Sequence, residues 1–206
     1  MNIEIKKSIK PVKYLDALKI LEERVDKIIN NEAKELIWIL EHPSTFTGGS
    51  SYNETEILDK SVNVIKTSRG GKVTWHGPGQ LICYLVINLN KRNKDIRKFI
   101  NIIEESIIES LKNFGLETFS DRRNIGIWIK HKNEEMKIAA LGIKVKKWIT
   151  YHGFSININN SISNYKKIIP CGIKDKPVTT LKSICNQKYN KLPEELIKNL
   201  IINLKT

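Results

Sequence analysis

Two segments of the chain carry apolar residues at helical spacing. One is residues 93–113, which end just before Gly115, a residue placed to close a long helix. The other is residues 11–33, with apolar side chains three or four positions apart at Tyr14, Leu15, Leu18, Leu21, Val25, Ile28 and Ile29. Both segments predict long amphipathic helices. Pro193 predicts the start of a short C-terminal helix, because proline fits the first turn.

Short apolar or alternating runs predict the strands. They are ELIWIL before Pro43, VNVIKTS (62–68), and the central-strand candidate QLICYLVINL (80–89), which is rich in β-branched and aromatic residues. Three further runs predict a meander with turns between its strands, one of them at His152–Gly153: NIGIWIKH (124–131), KIAALGIKVKKWIT (137–150) and GFSININ (153–159). This mixture predicts an α+β fold, a mixed sheet packed by two long helices.

Composition bounds the class of protein. With 206 residues, 40% of them hydrophobic and 28% charged, the sequence predicts one globular domain over residues 1–206. The charged N-terminus lacks the apolar stretch of a signal peptide, and the longest apolar run, residues 81–89, is too short to cross a bilayer. Three widely spaced cysteines do not form a disulfide framework. We therefore expect a cytoplasmic protein with no membrane partner.

The formal net charge of +13 has three interpretations. Clustered basic residues bind nucleic-acid phosphates, but these lysines are spread along the whole chain without a nucleic-acid module. The basic side chains can also simply keep the outward faces of the protein solvated, or they can attract an acidic protein partner. Composition does not choose among the three.

Cys171 stands between Pro170 and Gly172, where the chain must turn. A thiol in a turn can point into a cleft, so Cys171 is either a nucleophile or a cysteine that packs within a loop. The histidines and cysteines lack C-x-x-C or H-x-x-x-H spacing, and the G-x-S-x-G elbow of a serine hydrolase is absent. We assign no metal site and no cofactor. The remaining catalytic candidate is a cysteine that a lysine or a histidine would activate.

Residues 69–80, RGGKVTWHGPGQ, form a glycine-rich stretch that also holds an arginine and a histidine. Backbone N–H groups at such turns can approach a ligand closely, and the His76–Gly79 loop, or amides near Cys171, are candidates for an oxyanion hole. The spacing of a phosphate-binding loop is absent. The close grouping of glycines with an arginine and a histidine predicts contact with a ligand rather than a pair of ordinary hairpin turns.

Lys137 precedes a strand that begins with an isoleucine and two alanines. Small residues there leave room for a ligand against the backbone, and Gly142 and Gly153 add points of close approach. His152 is interpreted as a turn histidine.

Together these stretches resemble the lipoyl(octanoyl) transferase family. The family block R-G-G-x-x-T-[YFW]-H-G-P-G-Q matches residues 69–80. K-[IV]-[AC]-x-[LI]-G matches residues 137–142, and T-x-H-G-[FL]-[AS]-x-N matches residues 150–157. The block [IV]-[VI]-P-C-G-[IL] matches residues 168–173, and VTTL follows at residues 178–181.

The likeness covers most of the chain, since EHPSTFTGGSS and RRNIGIWI also resemble family segments. The departures are small. Lys72 stands where the family often has a neutral polar residue, Ser155 stands where alanine is common, and no proline follows Tyr84.

The resemblance implies a fold like the catalytic domain of biotin- and lipoate-protein ligases. It implies transfer of an octanoyl (or lipoyl) group from acyl-carrier protein, an acidic donor, to a specific lysine of lipoyl domains. The implied acceptors are the lipoyl domains of 2-oxoacid dehydrogenase complexes and the glycine-cleavage H protein, and no nucleic acid is implied. It nominates Cys171 as the acyl-accepting nucleophile and Lys137 as its partner. It places substrate contacts on Arg69, Gly70, Gly71, Lys72, Val73, Thr74, Trp75, His76, Ala140, Leu141, Gly142, Gly153, Phe154 and Ser155.

Elementary chemistry agrees with that assignment. Exchange of one thioester for another keeps the acyl group activated, and an ammonium near a thiol lowers the thiol pKa. After acylation the negative charge is gone, so an apolar pocket disfavours the ammonium and the lysine can accept a proton from the attacking amine.

Three alternatives remain open. An ATP-dependent lipoate-protein ligase would need no cysteine, although its usual R-R-x-x-G-G-G block is absent. An amidotransferase on the same fold would differ in its donor. A non-enzymatic basic binding protein would carry Cys171 as a packing residue.

Overall fold

The computed structural model describes residues 2–173 and 175–205. Its strands are β1 (Ile3–Lys7), β2 (Glu35–Leu40), β3 (Thr45–Gly48), β4 (Val64–Lys66), β5 (Val73–His76), β6 (Gln80–Val86), β7 (Thr118–Ser120), β8 (Ile127–His131), β9 (Glu134–Lys146) and β10 (Ile149–Asn157). Its α-helices are α1 (Tyr14–Ile29), α2 (Ile96–Lys112), α3 (Leu181–Ile184) and α4 (Leu192–Asn203). No helix among these residues is long and apolar enough to cross a membrane.

The strands form two sheets. The larger has seven strands in the order β1-β2-β6-β10-β9-β8-β7, and the smaller has three in the order β4-β3-β5. In the larger sheet β1 runs parallel to β2, whereas the other neighbours are antiparallel. The expected α+β class and mixed sheet are confirmed, and so is the central place of β6.

Strand alternation sends neighbouring side chains to opposite faces of the large sheet. Leu36 and Trp38 of β2 belong to the apolar cluster that covers α1, whereas Ile37 and Ile39 belong to the cluster with α2 and α4. The two long helices predicted from the sequence therefore pack on opposite faces of one sheet.

The ends of α2 follow from local chemistry. The Asp95 carboxylate accepts the backbone N–H of Lys98 at 2.9 Å, which caps the helix at Ile96 and not at Asn93. Beyond the other end, Gly115 has φ +71°, the left-handed conformation in which glycine commonly ends helices.

The predicted meander is confirmed, but the prediction of a turn at His152–Gly153 is wrong. The chain reverses at Lys147 and Trp148, whose φ angles are +50° and +63°, so Ile149 and Thr150 belong to β10 rather than to the preceding strand. His152 and Gly153 lie inside β10 and not in a turn. Extended pairing of β9 with β10 over eight residue pairs outweighs the local turn tendency of the His-Gly dipeptide.

Candidate active site

One cavity of about 660 Å³ collects most of the residues nominated from the sequence. It is lined from both sheets and from α1 and α2, and both Cys171 and Lys137 face it. Among the described residues, no group of three or more histidine, cysteine, aspartate or glutamate side chains is placed to hold a metal ion.

Cys171 lies in a tight turn in an unusual backbone conformation. Its φ and ψ are 56° and 15°, and Gly172 follows with φ +71°. A non-glycine residue in this region costs roughly 1–2 kcal/mol, so the surrounding contacts must hold the turn in place. The thiol is half-buried, in contrast to buried Cys83 and exposed Cys185. Burial raises the pKa of Cys83, as expected for an inert structural thiol.

Lys137 is 6% exposed, and its Nζ donates a hydrogen bond to the carbonyl oxygen of Ile125 at 2.8 Å. The ammonium also lies 5.2 Å from the ring centroid of Trp128. Gly126, with φ +142°, makes room for this side chain, because a Cβ there would lie 2.4 Å from Cε of Lys137. The lysine head group is therefore held in one place by the loop before β8.

Backbone pairing connects Lys137 to the segment that follows Cys171. The Lys137 N–H donates to the carbonyl of Pro177 at 2.9 Å, and the Thr179 N–H donates to the carbonyl of Lys137 at 2.9 Å. Val178 pairs with Lys137 as an isolated parallel bridge. The exit from the cysteine turn and the lysine strand are thereby fixed to each other.

Arg69 shapes the wall of the cavity made by residues 69–72. The guanidinium is buried and donates to the carbonyls of Thr47 and Lys72, each at 2.8 Å. Burial lowers the pKa of Arg69, and the acidic groups of Tyr14 and Cys171 oppose this effect.

The close approach expected at Gly142 arises from the same wall. The Gly70 N–H donates to the carbonyl of Ile143 at 3.2 Å, and a Cβ on Gly142 would lie 3.1 Å from the carbonyl oxygen of Gly70. Gly153 is tighter still, since a Cβ there would lie 1.9 Å from the carbonyl oxygen of Cys83. Both glycines let neighbouring backbones meet beside the cavity.

Two buried histidines form part of the cavity wall, and burial is the main reason that the pKa of each falls to about 3. His76 Nδ1 lies 2.8 Å from Oε1 of Gln80, whose amide nitrogen donates to Asn157 and Tyr165. Because that amide oxygen only accepts, neutral His76 carries its proton on Nδ1 and leaves Nε2 as an acceptor. Neither ring nitrogen of His152 has a hydrogen-bond partner among the described residues.

The nominated residues fall into two groups. Those that line the cavity are Cys171, Lys137, Arg69, Gly70, Gly71, Lys72, Thr74, His76, Ala140, Leu141, Gly142, Gly153, Phe154 and Ser155. Val73 and Trp75 do not, because alternation along β5 turns them into a separate apolar cluster with Tyr165 and Ile168.

The His76–Gly79 loop is less suited to an oxyanion hole than the sequence suggested. The Gly79 N–H donates to the Glu41 carboxylate at 3.0 Å, and neither Gly77 nor Gly79 lines the cavity. The glycines there serve packing, since a Cβ on Gly77 would lie 2.1 Å from the Trp75 ring. The alternative, amides near Cys171, stays a prediction.

Several lining residues were not nominated from the sequence. They are Tyr14, Ser50, Ser51, Ile82, Tyr84, Ile96, Ile100, Arg123, Asn124, Ile125, Ile143, Lys144, Val145, His152 and Ile173. Tyr14 and Ile96 lie on helices whose apolar periodicity indicates only packing. The RRNIGIWI segment was the available signal for the loop at residues 123–125.

Residues 13–203 match the lipoyl protein ligase A/B catalytic domain family. An octanoyltransferase of Wolbachia pipientis (strain wPip, from Culex pipiens) is 44% identical over 172 residues, which cover 83% of this chain and 84% of that protein. An octanoyltransferase of Anaplasma phagocytophilum is 40% identical over 186 residues, with 89% of each protein covered.

Solved structures show the same fold. The bi-partite lipoate protein ligase of Thermoplasma acidophilum superimposes with a TM-score of 0.74 at 14% identity, covering 100% of this chain and 84% of that one. The biotin protein ligase of Aquifex aeolicus superimposes with a TM-score of 0.54 at 13% identity, covering 99% and 70%. These likenesses confirm the expected fold.

Proposed function

The chain belongs to the lipoyl protein ligase A/B catalytic domain family and, within it, to the octanoyltransferases, and on this premise we propose that it works through a thioester on Cys171. It is an acyltransferase that transfers octanoyl groups in protein lipoylation. The proposed donor is octanoyl-acyl-carrier protein. The proposed acceptors are lysines of lipoyl domains, in 2-oxoacid dehydrogenase complexes and in the glycine-cleavage H protein.

In the first half-reaction, the Cys171 thiolate attacks the thioester carbonyl of the donor. The new carbon–sulfur bond forms as the bond to the carrier sulfur breaks. The leaving carrier thiolate takes a proton from the Lys137 ammonium, so the carrier thiol departs and Lys137 is left neutral. Arg69 and Lys137 are basic side chains on the wall of the cavity that Cys171 faces.

In the second half-reaction, the acceptor amine attacks the acyl-enzyme. The amide bond forms, the Cys171 sulfur leaves, and Lys137 in its neutral form accepts the proton that the amine loses. The hydrogen bond from Nζ to the Ile125 carbonyl keeps this lysine in the cavity wall for both steps.

The observation that carries the proposal is the shared cavity of Cys171 and Lys137, joined by the backbone pairing of Lys137 with residues 177–179. The apolar residues Ile82, Leu141 and Phe154 also line this cavity, which suits an eight-carbon chain.

The test is intact-protein mass spectrometry after incubation with octanoyl-acyl-carrier protein in the absence of ATP. We expect one hydroxylamine-labile octanoyl adduct on the wild type and on Cys185→Ser, which removes an exposed thiol outside the cavity. Cys171→Ser should form no labile adduct. An adduct that persists in Cys171→Ser, or transfer that requires ATP and Mg²⁺, would contradict the proposal and favour an adenylate route.

A further inference from the structure

The turn that holds Cys171 is fixed on its entry side by one short segment. The Ile169 N–H donates to the carbonyl of Glu56 at 2.7 Å, and Ile57 bridges to Ile168. The N–H of Leu58 donates to the carbonyl of Lys167 at 2.9 Å. Residues 56–58 therefore lie alongside the chain that leads into the cysteine.

The Glu56 side chain connects the same segment to the glycine-rich wall. Its carboxylate is only 7% exposed, accepts the N–H of Val73 at 3.3 Å, and pairs with Nζ of Lys72 at 2.8 Å. One residue thus contacts the cysteine turn through its backbone and residues 72–73 through its side chain.

Lys72 completes the contact by lying directly against Gly172. A Cβ on Gly172 would lie 2.5 Å from Cδ, 2.9 Å from Cε and 2.6 Å from Nζ of Lys72. The lysine side chain occupies the space that a side chain at position 172 would need. It packs beside the second of the two left-handed residues of the turn, immediately after Cys171.

We propose that the ion pair of Lys72 and Glu56 positions Cys171 for acyl transfer. This inference rests on the proposed role of Cys171. Lys72 is a positioning residue that acts through Gly172, and Glu56 holds its ammonium in place. When one partner is removed alone, the other is left as an unpaired charge beside the turn. The contact that keeps Cys171 in its strained conformation is then disturbed, and the thiol no longer meets the donor carbonyl in the reacting geometry.

The experiment compares Lys72→Met, Lys72→Arg, Glu56→Gln and the double variant Lys72→Met/Glu56→Gln. Methionine keeps the apolar length of the lysine but leaves the Glu56 carboxylate buried without its partner. We expect Lys72→Met and Glu56→Gln each to lower kcat about 10- to 100-fold, with little change in KM for the donor. The double variant should recover much of that loss, because a neutral pair restores the packing, and Lys72→Arg should retain most activity.

A matched control lies in the same region. Lys66 and Glu54 form an exposed pair at 3.7 Å, with 73% and 77% of their side chains accessible. Lys66→Met removes the same charge without touching the cysteine turn, so its kcat should equal that of the wild type. Melting temperatures of all variants separate a positioning role from general destabilisation, which would lower Tm without changing kcat at 25 °C.

Two results would overturn the inference. One is a folded Lys72→Met variant with wild-type kcat and a wild-type rate of acyl-enzyme formation. The other is a double variant no more active than Lys72→Met, which would give the lysine charge a direct role instead. Cys171→Ser is assayed in parallel: if it keeps full activity, the proposed function fails, whereas if only Lys72→Met is unaffected, the positioning inference alone fails.

Discussion

At the residue scale, two glycines with positive φ differ in what a side chain at each position would meet. Gly126 faces the Lys137 side chain and the carbonyl of Ala139, at 2.4 and 2.7 Å from a built Cβ, whereas Gly115 has open space around it. Both have positive φ, +142° and +71°. Substitution by alanine therefore introduces backbone strain and displaces the Lys137 side chain at Gly126, whereas at Gly115 it introduces backbone strain alone.

Gly126→Ala should lower kcat by about tenfold or more, because the new methyl displaces the ammonium of Lys137 from the Ile125 carbonyl. Gly115→Ala should lower stability by about 1 kcal/mol with no loss of activity. Steady-state kinetics and urea unfolding of the two variants measure both effects. Equal activity in Gly126→Ala and Gly115→Ala would show that the position of Lys137 does not limit the reaction.

At the scale of elements, β5 and β10 each carry a histidine into the cavity wall. Both pKa values are about 3, below the ordinary value of 6.5, because the charged ring would lose its hydration on burial. Each histidine is therefore neutral in the folded protein near neutral pH and protonated in the unfolded chain below pH 6.5.

Below pH 6.5 the unfolded state binds protons that the folded state does not. The contribution of each neutral histidine to the free energy of unfolding is therefore fully present above that pH. It falls toward pH 3 by up to about 1.4 kcal/mol per pH unit for each histidine. His152→Asn removes one of the two titrating groups, and asparagine tolerates the φ of +63° at this position.

Urea unfolding at pH 7.5, 6 and 5 should thus show a shallower acid decline for His152→Asn than for the wild type. Identical slopes in the two proteins would mean that His152 has the same pKa in the folded protein as in the unfolded chain, which would contradict this prediction.

At the scale of the whole molecule, part of the net charge of +13 borders the cavity. Arg123 and Lys144 line it, alongside exposed Ile96 and Ile125. Such a border would suit the proposed acidic carrier protein, the third interpretation of the charge.

Arg123→Glu should raise KM for octanoyl-acyl-carrier protein about tenfold at low salt, and added salt should raise the wild-type KM. KM for octanoyl-pantetheine, which lacks the carrier, should stay unchanged. Lys19→Glu, an exposed change of equal charge on α1 away from the cavity, is the control. A salt-independent KM, or equal effects of the two variants, would assign the charge to solvation alone.

The pattern of residues by itself determined the long helices, the central strand and the α+β class, because amphipathic spacing is a local property of the chain. The Pro-Cys-Gly turn and the glycine-rich stretch could also be predicted from the sequence. Proline restricts the backbone and glycine frees it, and both effects are local. Ordered blocks of such residues were enough to indicate the family.

Only the tertiary structure decided which residues meet. The reversal at Lys147 rather than at His152 depends on pairing of β9 with β10, and the turning of Trp75 away from the cavity depends on the register of β5. The contact of Lys72 with Gly172, one hundred positions apart, and its ion pair with Glu56 have no local signature. Long-range packing sets these contacts, because a side chain's partners depend on the path of the whole chain and not on its neighbours in sequence.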